Sequence, residues 1–371
     1  MFKIHVFNVD LGDSLIIESS NEDKIYYSIV DCKKVGLTTP TVDFLSNNGI
    51  VNISTLIITH YHEDHTTGLP DLYEYLNDSK GTINYIISPY IEAEGSLKNE
   101  FFRIMYGDLD KKKRLKILYA IQNLQNLDTN LSHSSKPEVI RGTFRTPEWS
   151  SSLHPGVFIA FLHPNEQQAF SFLNGTLKTK TFKNDLNSIS TVFILRTFNN
   201  DGQYFCTFFA GDLDNNFWST IKNRYEAITK KNSQYEIKFL KLPHHGSKNA
   251  YMYEVLPNII PKDNKFFTSI SCPFNSAHHP HEQTLSFLIN KFNNVCIACT
   301  NMSKHCVDQN LISGYENFFN HNEFEEQFEE FAEVEDIIPH QECAGWHTFI
   351  SNDTFQLINS TGINCGLQSI E

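Results

Sequence analysis

Residues 56–70 read LIITHYHEDHTTGLP, and our expectations for the whole chain start from them. The apolar, β-branched run 56–59 is typical of a buried strand, and Gly68 and Pro70 mark the loop that follows. Between strand and loop stand His60, His62, Asp64 and His65. Three imidazoles and a carboxylate are costly to bury unless they bind something, and borderline divalent metals take these ligands. The stretch therefore predicts a two-metal hydrolytic site, with a histidine-rich polar loop as the alternative.

This histidine and aspartate pattern resembles the signature of the metallo-β-lactamase superfamily. The segments FNVDLGDSLII, IVDCK, FFAGDLD, LKLPHHGSKNA and HHPHEQT follow in the order found in the hydrolase domain of the bacterial competence protein ComEC and its stand-alone relatives. The resemblance runs from Phe2 to about Thr300. It implies an α/β (α+β) fold, an αββα sandwich of two mixed β-sheets flanked by helices. The alternation of strand and helix patterns along the chain independently favours that architecture.

The resemblance also implies two bound divalent metal ions. His60 and His62 would hold one metal, and Asp64 and His65 would hold the other. Asp212, which follows the apolar run 205–210, resembles the aspartate that bridges both metals. The ligand types favour Zn²⁺, and Mn²⁺ is the alternative because Asp and Asn stand near the site.

A late metal ligand is expected in the PHHGS segment, where His244 resembles the family histidine and His245 is the alternative. The sequence does not choose between these neighbours. The histidine that many superfamily members carry before the bridging aspartate is missing, because residues 184–190 read NDLNSIS. Asn187 and Ser190 match the Asn-x-x-Ser of the competence-type proteins, so one metal would lack a protein ligand.

Further residues are predicted to support catalysis or substrate binding. Asp31 would hydrogen-bond a ligand or order the site. His279 and His281, in HHPH, would contact a phosphoryl oxygen or protonate the leaving oxygen, and for His279 a surface-loop histidine is the alternative. Lys248 would add positive potential near a phosphate. Asn187 and Ser247 complete the predicted substrate contacts.

The formal charge of the 371-residue chain is −13, which by itself argues against a nucleic-acid partner. The excess is local, because residues 316–336 contain nine acids and no Lys or Arg, which leaves −4 for the remainder. We expect one domain over 1–371, with a helical insertion at about 92–155 and an acidic helical segment at about 314–338. The acidic helix is a possible docking surface for a protein partner.

The predicted insertion carries the basic run Lys111, Lys112, Lys113, Arg114 and Lys116. A solvated helix face is the usual fate of such a run, and contact with a phosphate backbone is the alternative. Residues 132–155 are polar and contain several prolines, which predicts a long loop.

No apolar run approaches the length of about 18 residues that a membrane helix needs. The eight cysteines are scattered, mostly within apolar runs, which favours reduced thiols and a cytoplasmic location. The sequence does not indicate an oligomeric state.

Four functions are compatible with these residues to different degrees. The first is a metal-dependent phosphodiesterase or nuclease acting on DNA or RNA, in DNA processing or phage defence. The second is an esterase on small phosphodiesters of the phosphorylcholine or cyclic-nucleotide type. A lactonase or β-lactamase is disfavoured by the missing histidine. The fourth is a non-catalytic interaction module that docks through the acidic helix.

Overall fold

The computed structural model describes residues 2–21, 24–89, 111–127, 138–141, 151–179, 186–198, 204–213, 217–229, 236–248, 252–273, 279–300, 347–351 and 355–359. The predicted acidic segment at 314–338 lies outside these residues, as do 92–110 of the predicted insertion.

Two mixed sheets form the centre of the described structure. Their strands are β1 (Phe2–Val6), β2 (Leu15–Asn21), β3 (Lys24–Val30), β4 (Asn52–Ile57), β5 (Thr82–Ser88), β6 (Glu138–Arg141), β7 (Ser151–His154), β8 (Val157–His163), β9 (Val192–Phe198), β10 (Tyr204–Phe209), β11 (Glu236–Lys241), β12 (Phe266–Ile270), β13 (Val295–Cys299), β14 (His347–Ser351) and β15 (Phe355–Asn359).

The first sheet has the order β15-β14-β1-β2-β3-β4-β5-β6, and the second has the order β13-β12-β11-β10-β9-β8-β7. In the first sheet, β3 to β6 pair in parallel, and the other neighbours pair antiparallel. In the second, β10 to β13 pair in parallel, and β7 to β10 pair antiparallel. Each sheet is therefore mixed.

The helices among the described residues are α1 (Pro40–Asn47), α2 (Glu63–Thr66), α3 (Leu69–Asp78), α4 (Lys111–Gln125), α5 (Glu166–Thr179), α6 (Trp218–Thr229), α7 (Leu256–Ile259) and α8 (Glu282–Lys291). None of them combines the length and the apolar character needed to span a bilayer.

The core follows from the two-residue period of the strands. In β4, Leu56 packs in a cluster with α1, α3 and α4, while Ile57 packs in the cluster between the sheets. In β10, Phe208 faces the cluster with α6, α7 and α8, while Phe209 faces the cluster between the sheets. Consecutive strand residues point to opposite faces, so strands that are apolar throughout are covered on both sides. The predicted sandwich of two mixed sheets flanked by helices is confirmed.

The long loop predicted for 132–155 is wrong in two places. Residues 138–141 form β6, which extends the first sheet beside β5, and residues 151–154 form β7, which pairs with β8 at the edge of the second sheet. Both strands are only four residues long and carry polar side chains, so they lack the apolar alternation by which strands are found in a sequence.

Candidate metal centre

The first group of candidate ligands follows the end of β4. His60 and His65 are fully buried, and His62 stands as the N-terminal cap residue of α2. His60 Nε2 lies 3.0 Å from His62 Nδ1, and the rings of His60 and His65 are 4.1 Å apart. The strand-to-helix transition therefore gathers the three imidazoles on one side of the loop.

The second sheet supplies the remaining members. Asp212 follows β10, and its backbone N–H donates to Ser190 Oγ at 3.0 Å. His245 follows β11. One ligand atom from each of Asp64, His65, Asp212 and His245 lies within 4.8 Å of the others. We call these four residues the acid–imidazole group. Its members come from loops at the ends of strands in both sheets.

The closest approaches within this group involve one oxygen of Asp212. His65 Nε2 lies 3.3 Å and His245 Nε2 3.2 Å from Asp212 Oδ2. His245 Nε2 is also 3.5 Å from Asp64 Oδ2. These four side chains therefore surround a small volume that a single cation fits.

His245, and not His244, joins the acid–imidazole group. Both residues adopt a left-handed backbone, with φ of 53° and 47°. His244 Nε2 instead lies 3.5 Å from Asn187 Nδ2. The turn sends the two adjacent rings in different directions, which explains why only one of them belongs to the group.

His60 and His62 lie beside the acid–imidazole group. His60 Nε2 is 3.9 Å from Asp212 Oδ2, so Asp212 stands between the two sets of predicted ligands. The division of these residues between two metal sites, which the resemblance implies, stays a prediction.

Asp31 supports His65. Asp31 has a left-handed backbone (φ 56°) directly after β3. Its Oδ1 accepts from the Thr59 backbone N–H at 2.7 Å, and its Oδ2 accepts from Thr59 Oγ1 at 2.6 Å and lies 2.8 Å from His65 Nδ1. Because Nδ1 of His65 is taken by Asp31, Nε2 is the nitrogen that faces Asp64 and Asp212.

In the acid–imidazole group, neighbouring charges lower the carboxyl pKa values and raise the imidazole pKa values. Burial raises the pKa of Asp212, but His245 and His65 outweigh it and hold that pKa well below its ordinary value. Asp64 behaves in the same way, with its pKa lowered chiefly by His65. Burial lowers the pKa of His245, yet Asp212 and Asp64 raise it to about 9. Burial, together with the neighbouring imidazoles of His65 and His62, holds the pKa of His60 well below 6.5.

The donor set fits a divalent metal. Asp212 Oδ1 is buried and has no hydrogen-bond partner among the described residues, and His245 Nε2 approaches Asp212 without hydrogen-bond geometry. Buried polar atoms are almost always hydrogen-bonded, so such atoms need an explanation. Converging imidazole nitrogens and ionised carboxylates are ligands for Zn²⁺ or Mn²⁺. A cation would take the place of the protons that His65 and His245 otherwise hold.

The predicted substrate residues are spread around the centre. Asn187 is buried beside His244, and the ring of His279 lies 6.2 Å from that of His244 and 6.3 Å from that of His245. Ser247 is buried and Lys248 is exposed. His281 caps α8, because its Nδ1 accepts from the Gln283 backbone N–H at 3.2 Å. His279 is therefore better placed than His281 to act at the centre.

Two residues near the centre were missed by sequence reasoning. Asp13, in the turn between β1 and β2, lies 3.8 Å from His245 Nδ1 through its Oδ1 and 2.8 Å from Lys241 Nζ. Burial raises the pKa of Asp13, but the charges of Lys241 and His245 outweigh burial and hold that pKa below its ordinary value. One signal was available, since Lys241 is a charged residue that follows the apolar pair Phe239 and Leu240 and stands two residues before the PHHGS segment.

Neither a protein-family model nor a curated protein sequence matches this chain. Several solved structures are similar to this chain. The metallo-β-lactamase fold protein YhfI from Bacillus subtilis matches at 11% identity and a TM-score of 0.39 over 80% of this chain and 96% of that chain. A diphosphatase from the PhnP family matches at 10% identity and a TM-score of 0.36 over 82% and 88%. A long-form RNase Z from yeast matches at 11% and 0.36 over 73% of this chain and 36% of that chain.

Proposed function

We propose that this protein is a metal-dependent hydrolase of phosphodiester bonds and that its substrate is nucleic acid. The observation that carries the proposal is the acid–imidazole group, whose ligand atoms from both sheets lie within 4.8 Å of one another. Buried carboxylates and imidazoles brought together from both sheets are costly to fold without a cation to bind.

Each side chain has a distinct part in the proposed reaction. Asp64, His65, Asp212 and His245 would hold one divalent metal, and His60 and His62 would hold a second beside Asp212. When bound, such metals supply an activated water and offset charge on the electrophile. Asp31 keeps Nε2 of His65 directed at the centre. His279, whose ring lies near those of His244 and His245, would give a proton to the leaving oxygen.

The exposed face of α4 supports nucleic acid as the substrate class. Lys111, Lys112, Lys113 and Lys116 are exposed, and the helix contains no acidic residue. Tyr119 is 66% exposed on the same helix, where it is available to stack on a base. The opposite face packs on α3, through Ile117, Leu118, Ala120, Ile121 and Leu124 in the cluster that also holds Leu72 and Leu76. This basic face is held against α3, the helix that follows the metal loop (residues 60–65). Such a face suits a phosphate backbone.

The finer predictions belong to the same proposal. With the ComEC-like resemblance, the polymer would be DNA or RNA, in DNA processing or phage defence. The described cysteines, Cys32, Cys206, Cys272, Cys296 and Cys299, are free and buried, which supports a reducing, cytoplasmic location. A protein partner for the acidic segment stays a prediction. Small phosphodiesters are the second candidate, because the same centre would serve them without the basic helix.

The test measures cleavage of plasmid DNA, single-stranded DNA and RNA with Mn²⁺ or Zn²⁺, and of bis-(p-nitrophenyl) phosphate in parallel. We expect Asp212→Ala to lower all of these rates by at least about 100-fold, because the variant lacks the carboxylate common to the cluster. The triple change Lys111→Gln, Lys112→Gln and Lys113→Gln should weaken nucleic-acid binding. It should also reduce the salt dependence of binding, by about 0.9 in log–log slope for each phosphate that is no longer neutralised. Turnover of bis-(p-nitrophenyl) phosphate should stay unchanged.

The matched control changes three exposed lysines elsewhere, Lys80, Lys262 and Lys291, to Gln, which alters net charge equally. If this control weakens nucleic-acid binding as much as the α4 variant, α4 is not the contact surface. Turnover of bis-(p-nitrophenyl) phosphate without cleavage of any nucleic acid would favour the small-phosphodiester function. A preparation that turns over none of these substrates with either metal would refute the proposal.

A further inference from the structure

A buried ion pair lies beneath the acid–imidazole group. Asp13 Oδ1 is 2.8 Å from Lys241 Nζ, and the two side chains are 3% and 2% exposed. Lys241 Nζ also donates to the Leu242 carbonyl oxygen at 3.2 Å. The cost of removing two charges from water exceeds or cancels the attraction between them in most buried pairs, and an apolar pair of similar size packs as well. Stability alone therefore does not explain this pair.

The pair joins three segments that carry the centre. Asp13 lies in the turn between β1 and β2, and its backbone N–H donates to the Asp64 carbonyl oxygen at 3.2 Å. Lys241 is the last residue of β11 and stands four residues before His245. Asp13 Oδ1 also lies 3.8 Å from His245 Nδ1. One carboxylate thus faces both the ammonium group and the far side of the imidazole whose Nε2 points at Asp64 and Asp212.

His245 needs such support because its backbone is strained. Its φ of 53° lies in the left-handed region, which costs a residue with a side chain free energy unless its surroundings hold it there. The preceding residue, His244, is left-handed as well. Two successive left-handed residues are unfavourable for the backbone, so the turn by itself does not hold the His245 ring in one direction. Contacts from outside the turn must do so.

We infer that Asp13 and Lys241 are positioning residues that fix His245 for metal binding. Lys241 anchors the Asp13 carboxylate, and the carboxylate limits where the His245 ring lies. This inference rests on the proposed function, since it concerns the affinity of the same centre for its metal.

A direct metal-ligand role for Asp13 is the competing explanation. Asp13, Asp31 and His65 also offer ligand atoms within 4.8 Å of one another. However, both oxygens of Asp31 accept from Thr59, and Nδ1 of His65 lies against Asp31. Oδ1 of Asp13 already faces an ammonium group, which would repel a second cation. These three residues therefore support the acid–imidazole group and do not form a second site.

The test compares Asp13→Asn, Lys241→Met and the double variant that combines them. Apo-protein is prepared by chelation, its stability is measured by urea unfolding, and Mn²⁺ and Zn²⁺ dissociation constants are measured by titration calorimetry. Each single variant should be less stable, because it leaves a buried partner unpaired, and the double variant should recover much of that stability. The double variant should nevertheless bind metal about 10- to 100-fold more weakly than the wild type.

The matched control is the pair formed by Lys3 Nζ and Glu18 Oε1, which are 2.7 Å apart on β1 and β2. Changing Lys3→Met and Glu18→Gln together should leave the metal dissociation constants unchanged. Wild-type affinity in the Asp13/Lys241 double variant would refute the inference and leave the proposed function intact. An equal decrease of affinity in the control pair would also refute it. A wild-type protein that binds neither metal would overturn both. If one of the single variants does not fold, the metal dissociation constant of the double variant alone tests the inference.

Discussion

The buried histidines of this chain divide according to the carboxylates around them. His65 and His245 face Asp64 and Asp212, which raise the imidazole pKa values against the effect of burial. His163 is equally buried, but no carboxylate contributes to the shift of its pKa. Burial is the main reason why that pKa falls to about 3; the hydrogen bond to the Ser188 carbonyl raises the pKa, and the charge of Arg224 lowers it. Residues of one type therefore differ in charge because of what surrounds them.

His163 makes the folded protein sensitive to acid. Its pKa falls from 6.5 in the unfolded chain to about 3 in the folded one, so the unfolded state binds more protons between those values. Stability contributed by the neutral ring is complete above pH 6.5 and is lost as the pH falls toward 3. We expect this residue to account for about 2 kcal/mol of unfolding free energy lost between pH 8 and pH 5.

The measurement is urea unfolding of the wild type and His163→Gln at several pH values from 8 to 5. The readout is the slope with pH, because the variant also lacks the bond that His163 Nε2 donates to the Ser188 carbonyl oxygen and is destabilised at every pH. The variant should lose about 2 kcal/mol less than the wild type over this range. Parallel slopes would show that His163 is protonated in the folded state.

The family resemblance indicated His60, His62, Asp64, His65 and Asp212 as metal ligands. Their positions soon after strands support that expectation, because strand-end loops carry functional residues. The sequence did not distinguish His244 from His245. The two histidines are adjacent in the chain and have the same chemistry, and only the left-handed turn decides which ring faces Asp212.

At the scale of elements, the turn between β1 and β2 supports the metal loop. Gly12 has φ of +132°, and a Cβ placed there would overlap the Asp64 carbonyl oxygen. The turn is tied to its surroundings by the Asp13 backbone hydrogen bond to that same carbonyl and by Lys33, whose Nζ donates to the Leu11 carbonyl oxygen. The short glycine turn is thus a packing surface for the loop that carries Asp64.

We expect Gly12→Ala to lower the unfolding free energy by about 2–4 kcal/mol, because the added methyl group must displace the turn or the metal loop. It should also weaken metal binding, since Asp64 moves with that loop. Urea unfolding and calorimetric titration with Mn²⁺ measure the two effects.

The control is Gly49→Ala. Gly49 also has a positive φ, of +64°, but no atom of the described residues lies within 4 Å of an added Cβ. This change should cost only the backbone strain of about 1 kcal/mol and should leave metal affinity intact. Equal effects of the two substitutions would mean that the close approach to Asp64 is unimportant.

The strands that were predicted from sequence and the two that were missed differ in composition. β4 and β10 are rich in apolar, β-branched and aromatic residues, and β11 carries the apolar Ile237, Phe239 and Leu240 among three charged residues, so their own residues favour a strand. β6 and β7 read EVIR and SSLH, which favour no one structure. They are strands because β5 and β8 each present an edge to which they hydrogen-bond.

Across the whole molecule, the candidate centre lies where the two sheets meet. Asp31 and His65 follow strands of the first sheet, while Asp212 and His245 follow strands of the second. Asp13 and Lys241 cross the same boundary through their ion pair. A cation held by residues of both sheets would bind the folded protein and not the unfolded chain, and would therefore stabilise the whole fold.

We expect Mn²⁺ or Zn²⁺ at 100 times its dissociation constant to raise the unfolding free energy by about 2.7 kcal/mol. EDTA should reverse the gain. Thermal or urea unfolding with and without metal measures it, and Asp212→Ala should abolish it while His281→Ala should keep it, because His281 caps α8 and is not a member of the acid–imidazole group. A metal that stabilises both variants equally would bind elsewhere.

The sequence by itself determined the layers of this protein and most of the candidate centre. Strand periodicity shows which residues are buried on both faces, and chemistry-bearing residues placed directly after such strands lie at a sheet edge whatever the details. Only the tertiary structure decided between His244 and His245, brought Asp13 against Lys241, and made strands of 138–141 and 151–154. These features depend on contacts between segments far apart in the chain, and no local pattern of residues contains that information.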